Sequence, residues 1–335
     1  MKKPFFIAEI SANHCGSFSI AKQLIKIAKL NGADAVKLQT YKPDSMTLNL
    51  KKKNFLIEKG LWKGKNLWEL YDKAKTPYSW HKRLFEYAKR IGIICFSTPF
   101  DSEAVDFLES LNCPFYKISS FEFNDFPLIE KIIKTRKKII LSTGTASLSE
   151  IAKVINFFKK KKFKNFSLMY CVSNYPAMLS DFHINNIKIL KKKFKCKVGL
   201  SDHSTNNIVA ALALSSGAEI FEKHIASKMS KESPDYKFSL IEDEIKVYRN
   251  MLDDTYKMLK NKKFTRSKSE LLYKKFRRSI FAIKDIKKNE KFSVKNIKLL
   301  RPKIGLGPEY FNKILKKKAK KFIKANDPIK ISLIK

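Results

Sequence analysis

Short apolar, β-prone runs alternate with longer segments of helical period from the start of the chain to about residue 260. The runs predict strands at Phe5–Ile10, Ala33–Gln39, Ile93–Ser97, Phe115–Ser119, Lys138–Ser142, Ser167–Cys171, Val198–Ser201 and Ile220–Lys223. Between them, Ile20–Leu30, Ser102–Leu111, Leu148–Phe158 and Asn206–Ser215 carry apolar residues at i, i+3 and i+4, the stripe of an amphipathic helix. Ser149 with Glu150 reads as a helix start, and Gly32 and Gly217 read as helix ends. Eight strand–helix units over about 250 residues predict a (β/α)8 TIM barrel, α/β in class, with parallel strands joined by right-handed crossovers. A doubly wound open sheet is the alternative, but no Gly-rich phosphate loop follows the first strand.

Two regions depart from this rhythm. Residues 40–80 exceed one helix and its loops and hold all three tryptophans, Trp62, Trp68 and Trp80. They are expected to form a lid, a subunit contact or packing over the barrel end. After a helix near Glu242–Leu259, residues 261–276 read as a polar, lysine-rich linker. Residues 277–335 read as a small second domain after a barrel of residues 1–260. Within it, Lys316–Lys321 with Lys324 is expected to be a solvated helix face.

Composition narrows the class. The chain has 335 residues, 44% of them hydrophobic, enough for a large core. No stretch approaches the roughly 18 apolar residues of a membrane span, and the N-terminus loses its apolar character at Glu9, so a cytoplasmic protein is expected. Five cysteines, an odd and scattered set, read as reduced thiols. Cys15, beside His14, reads as a small loop residue before a reactive one. The net charge of +39 would suggest nucleic acid if it formed one stripe. The lysines are instead spread over most predicted surface helices, so neither nucleic acid nor membrane is expected as a partner. Small anionic substrates gain from such a field.

Polar residues recur where the predicted strands end: Glu9 with Asn13 and His14, Lys37 and Gln39, Ser97 and Thr98, Lys117 and Glu122, Ser142 to Gly144, Ser173 and Tyr175, Ser201 to His203, and Glu222 to His224. Stability features of a barrel concentrate on its other face, so this repetition predicts an active site. His203 and His224, on adjacent strands, form a candidate metal pair whose neutral imidazoles suit Mn, Fe or Zn, with substrate oxygens completing the shell. A hydrogen-bonded structural pair is the alternative. Lys37 and Lys117 with hydroxyls at Thr98, Ser142 and Ser201 suit a phosphate. Glu9 and Glu122 supply acid, base or electrostatic partners. His81 and His183 fall in helical context and are expected on the surface.

These residues, in this order, resemble the sialic acid synthase family. The resemblance is carried by Ile7-Ala8-Glu9, Asn13 to Gly16, Gly32 to Thr40, Ser97 to Phe100, Tyr116 to Ile118, Leu141 to Gly144, Gly199 to His203 and Glu222 to His224, and it spans the barrel. The tail, with Arg301-Pro302 and Gly305, resembles the antifreeze-like (SAF, β-clip) domain that ends these enzymes. The resemblance implies condensation of phosphoenolpyruvate with an open-chain acetamido sugar, giving a nine-carbon 2-keto acid and phosphate. It implies a divalent metal, Mn2+ or Mg2+, on His203 and His224. Phosphoenolpyruvate would be cradled by Lys37, Thr98, Lys117, Ser120, Ser142, Ser173 and Ser201. Glu9, Gln39, Tyr175 and Asp235 would bind the sugar, and Glu122 would stabilise the cation or orient water. Arg301 would reach an acyl group in the other protomer of a homodimer with exchanged small domains.

Some positions depart from the neuraminate branch of that family. Ile10-Ser11-Ala12 replaces an Ala-Gly-Val run, Ser173 replaces an Asn, and Tyr236 follows Pro234-Asp235 where a His is usual. Gln39 to Leu48, Gly60 to Trp62 and Leu70 to His81 instead resemble the branch forming pseudaminate, with neuraminate and legionaminate formation as alternatives. Pseudaminate precursors lack the 6-hydroxyl and carry a second acetamido group.

Overall fold

The computed structural model describes residues 2–261 and 263–335. Eight strands follow one another around a closed parallel barrel: β1 (Phe5–Glu9), β2 (Ala35–Thr40), β3 (Ile94–Pro99), β4 (Phe115–Ile118), β5 (Lys138–Ser142), β6 (Phe166–Cys171), β7 (Lys197–Asp202) and β8 (Ile220–Ala226). Closure comes from β1 pairing with β8, Ile7 opposite Glu222 and Glu9 opposite His224. A two-residue β9 (Leu240–Ile241) adds in parallel beside the end of β8. The strand predictions agree with the structure to within a few residues because strands covered on both faces are nearly all apolar.

Helices α1 (Phe18–Leu30), α2 (Pro43–Met46), α3 (Leu67–Ala74), α4 (Tyr78–Arg90), α5 (Ser102–Ser110), α6 (Phe126–Lys134), α7 (Leu148–Lys160), α8 (Asn185–Phe194), α9 (Ile208–Ser215) and α10 (Asp243–Leu259) surround the barrel. Helix α1 buries Ala21, Leu24, Ile25 and Ala28, the i, i+3, i+4, i+7 stripe of its sequence. It ends before Gly32, whose φ of +85° suits glycine. Helix α7 starts slightly earlier than Ser149 suggested. Ser147 is the cap, and Glu150 returns the bond to complete a capping box.

His81 is a correction. It is fully buried, because it shares the inner stripe of α4 with Leu84 and Ala88. At the N-terminal face of the barrel, Arg249 of α10 bonds Asp34 at 2.9 Å, Asp253 at 2.6 Å and the Pro4 carbonyl at 3.2 Å. This is the stabilising end, and none of the predicted site residues lies in that network.

Residues 261–335 form a second compact unit. It contains α11 (Lys268–Leu272), an antiparallel pair β10 (Ser279–Ala282) and β11 (Ile297–Leu300), and α12 (Phe311–Ile314). Its own core gathers Ile280, Ile286, Phe292, Ile297, Ile314, Ile323 and Ile329. The lysine run 316–321 is exposed but not helical: Lys316 lies in a turn with φ +73°, Lys318 bridges Lys291, Ala319 bridges Ile334, and Ala319 and Ile323 turn inward. No helix among the described residues is long and apolar enough to cross a membrane.

Candidate active site

The C-terminal ends of the strands converge on one cluster of buried charge. Lys37 Nζ lies 2.7 Å from Glu9 Oε2, 3.2 Å from Thr98 Oγ1 and 3.8 Å from Glu222 Oε2. Lys117 pairs closely with Glu222 Oε1, which also accepts from Ser201 Oγ at 3.0 Å. Gln39 Nε2 donates to Glu9 Oε1 and to Ser11 Oγ, each at 3.0 Å. All these ionic groups are at most 5% exposed. Burial alone would raise the Glu222 carboxyl, but Lys117 and Lys37 hold it down at about 2. Burial pushes Glu9 up against the pull of Lys37. Burial likewise opposes the charge on Lys37, and Glu222 and Glu9 outweigh it, so its ammonium is retained.

Both lysines expected to grip an anion are thus already paired with carboxylates. Glu222 is the functional residue to which sequence reasoning gave no role. The signal was available: it stands two residues before His224, hence on the same face of β8.

A cluster of small residues also stands at the strand ends. Gly144 N donates to Ser120 Oγ at 3.2 Å, and Ser120 Oγ lies 3.0 Å from Cys171 Sγ. A Cβ added to Gly144 would sit 2.6 Å from Ser120 Oγ, 2.8 Å from Cys171 Sγ and against Ser173 Oγ, so only glycine lets these side chains close in. Ser173 Oγ is buried without a hydrogen-bond partner. Ser142 lies at the end of β5 and is also buried. A buried hydroxyl with no partner in the protein calls for one from outside it.

His203 and His224 face each other with ring centroids 5.6 Å apart. His203 Nδ1 lies 2.8 Å from the Val172 carbonyl, which only accepts, so the proton sits on Nδ1 and Nε2 keeps its lone pair. Ser201 Oγ is 3.3 Å from that Nε2 but closer to Glu222. His224 Nδ1 is buried without a hydrogen-bond partner, 3.6 Å from Asp235 Oδ2. Burial lowers both imidazoles, His203 to about 4, which keeps them neutral as metal ligands must be. Among the described residues no group of three or more His, Cys, Asp or Glu side chains is arranged to hold a metal. The pair fits a divalent ion that takes its other ligands from water and substrate oxygens.

Around the pair stand aromatic rings. Tyr175 lies 4.4 Å from His203, Phe238 4.9 Å from His224, and Trp62 of the insertion 5.3 Å from Tyr175. Trp62 Nε1 donates to the Pro234 carbonyl at 3.0 Å. Asp235 is buried and accepts from Ala12 N at 3.4 Å; burial raises its carboxyl. Glu122 accepts from Ser119 Oγ, and burial raises it too. Arg301 lies exposed in the second unit. The sequence placed Trp62 in the insertion without a role in the site and did not single out Phe238, because neither falls on a strand.

The barrel and its charged, hydroxyl-rich mouth define a synthase-type (β/α)8 enzyme. A family model described as "NeuB family" matches residues 24–264, and one described as "SAF domain" matches residues 277–335. The chain belongs to the NeuB family. It is 45% identical to a pseudaminic acid synthase of Campylobacter jejuni, over 98% of this chain and 96% of that one. It is 42% identical to a pseudaminic acid synthase of Helicobacter pylori, over 98% and 97%. Among solved structures, a putative spore coat polysaccharide biosynthesis protein E from Chromobacterium violaceum superposes with a TM-score of 0.73 at 26% identity, covering 99% of this chain and 100% of that one.

Proposed function

We propose that this enzyme condenses phosphoenolpyruvate with 2,4-diacetamido-2,4,6-trideoxy-L-altrose to give pseudaminic acid and phosphate. The observation that supports it most is the convergence of Lys37, Lys117, the unpartnered Ser173 hydroxyl and the neutral His203–His224 pair on strand ends of one barrel. Relatives named for this activity match the chain almost end to end.

In this reading Lys37, Lys117, Thr98 and Ser201 orient phosphoenolpyruvate, and Ser120, Ser142 and Ser173 hold its phosphate. His203 and His224 hold Mn2+ or Mg2+. When bound, the ion supplies Lewis-acid polarisation of the sugar aldehyde. C3 of phosphoenolpyruvate bonds to the aldehyde carbon, and positive character develops at C2. Glu122, its carboxyl raised by burial, orients the water that adds there. One proton of that water goes to the former aldehyde oxygen. The C2–O bond to phosphorus then breaks, the C2 hydroxyl becomes the ketone, and its proton leaves with phosphate. Glu9, Gln39, Tyr175 and Asp235 hold the sugar. Arg301 completes its site from the partner protomer of a homodimer, and the enzyme works in the cytoplasm, where phosphoenolpyruvate is made.

Purified protein given phosphoenolpyruvate, Mn2+ and either this sugar or N-acetylmannosamine tests the reading by phosphate release. Preferred turnover of the trideoxy sugar is expected. Equal or better use of N-acetylmannosamine overturns it in favour of neuraminate synthesis.

A further inference from the structure

We infer that Trp62, with Tyr175 and Phe238, forms the wall that selects a 6-deoxy sugar, the indole packing on the sugar's C6 methyl end. The inference rests on the proposed function and assigns its specificity. Trp62 comes from the insertion between β2 and α4, remote in sequence from every strand end, yet the fold carries its ring to the mouth. Tyr175 touches both ends of this set, 4.4 Å from His203 and 5.3 Å from Trp62. A sugar whose aldehyde end meets the histidine pair would therefore have its far end within reach of Trp62.

The polar inventory of the wall is the argument. Indole has one hydrogen-bonding group, and in Trp62 it is spent on the Pro234 carbonyl. The ring therefore presents only hydrocarbon to a ligand. Phe238, 2% exposed and packed on His224 and Tyr175, backs the wall with a second apolar ring, so the Tyr175 phenol is the wall's one polar group. A sugar with 2,4-diacetamido and 6-deoxy substitution carries three methyl groups, whereas N-acetylmannosamine carries one and a 6-hydroxyl. Against an indole face a methyl is matched, while a hydroxyl loses water and gains no partner. An apolar surface discriminates against an added hydroxyl by up to about 100-fold. The bond to Pro234 also ties the insertion to the residue preceding Asp235, so ring and sugar-binding carboxylate are set together.

The test measures kcat/KM for 2,4-diacetamido-2,4,6-trideoxy-L-altrose and for its 6-hydroxy analogue in wild type, Trp62→Ala and Trp62→Phe. In Trp62→Ala the ratio of the two is expected to fall at least tenfold, with KM for phosphoenolpyruvate within about threefold of wild type. Trp62→Phe, which keeps a ring and loses the bond to Pro234, is expected to keep most of the selectivity. An unchanged ratio in Trp62→Ala overturns the inference. So does an equal fall in Trp62→Phe, which would assign selectivity to the tie and not the ring. If Trp62→Ala loses its thermal transition, Phe238→Leu carries the same comparison. Wild type with no preference for the trideoxy sugar refutes the proposed function itself, a result separate from either.

Discussion

Two regions of the barrel each hold a pair of buried histidines, and they differ in one respect. Near the base of the insertion, His14 and His81 have partners on both ring nitrogens. His81 meets the Pro77 carbonyl at 3.0 Å and Thr40 Oγ1 at 2.8 Å. His14 accepts from Gly16 N at 3.1 Å and faces Thr76 Oγ1 at 3.4 Å. Between β7 and β8, His203 Nε2 has only Ser201 Oγ at 3.3 Å, whose proton goes to Glu222, and His224 Nδ1 has no hydrogen bond at all. Burial lowers all four imidazoles, so neither burial nor a depressed pKa identifies a ligand. The unpartnered nitrogen does. A saturated histidine is architecture, and an unsaturated buried one waits for a Lewis acid.

The largest effect should come from breaking the open pair. His203→Ala and His224→Ala are each expected to lower kcat at least about 1,000-fold and to abolish the heat of Mn2+ binding in calorimetry, with thermal unfolding little changed. Chelation of wild type should reproduce the loss, and added Mn2+ or Mg2+ should reverse it. Full Mn2+ affinity in either variant would return the pair to the structural class of His14 and His81.

Next comes the buried charge between the two regions. Lys117→Met removes the closest cation of Glu222 and leaves it Lys37 at 3.8 Å and Ser201 Oγ at 3.0 Å. Removing one partner of a buried ion pair costs up to about 3–5 kcal/mol, so urea unfolding should shift toward that order and activity should be lost. Lys117→Met with Glu222→Gln is expected to recover most of the stability and none of the turnover. Failure to recover stability would mean the lysine stabilises by packing, not by charge.

Gly144→Ala is a smaller and more selective change. Its Cβ would crowd Ser120, Cys171 and Ser173, the hydroxyl cluster assigned to phosphate. KM for phosphoenolpyruvate should rise about 10- to 100-fold, since at most one oxygen contact is displaced. KM for the sugar should change less than threefold. A larger change on the sugar side would move the phosphate elsewhere in the mouth.

What the sequence disclosed follows the same division. The barrel was legible because a closed parallel sheet makes its strands apolar throughout, and β1 to β8 stand out from amphipathic helices. Lys37, Lys117, His203 and His224 were legible because a strand end puts a polar residue at a known place. That their charges are already balanced by Glu9 and Glu222 was not, since pairing across the barrel depends on register between strands far apart in the chain. Trp62 and Phe238 reach the mouth through loops, whose course no periodicity encodes. His81 was misplaced because a helical histidine usually faces water, whereas here it occupies the stripe position of an apolar residue.

The saturated pair yields the smallest effect, a pH dependence of stability and not of chemistry. His14 and His81 both have imidazoles lowered from 6.5 to about 4 by burial. Between those values the unfolded chain binds more protons than the folded one, so stability rises with pH across the window. It is fully present above about pH 6.5, is lost progressively as pH falls toward 4, and changes no further from this source below 4. Each histidine contributes up to about 3 kcal/mol of that loss. Urea titrations at pH 7, 5.5 and 4 should show it, and His81→Gln should flatten the slope by roughly a quarter, because burial lowers His203 and His224 as well. Mn2+ affinity at pH 7 should be untouched in the same variant, because Gln replaces a residue whose nitrogens never faced the ion. A slope unaltered by His81→Gln would mean that the acid sensitivity lies in the carboxylates of the mouth, and the two histidine regions would then differ in less than their hydrogen bonds suggest.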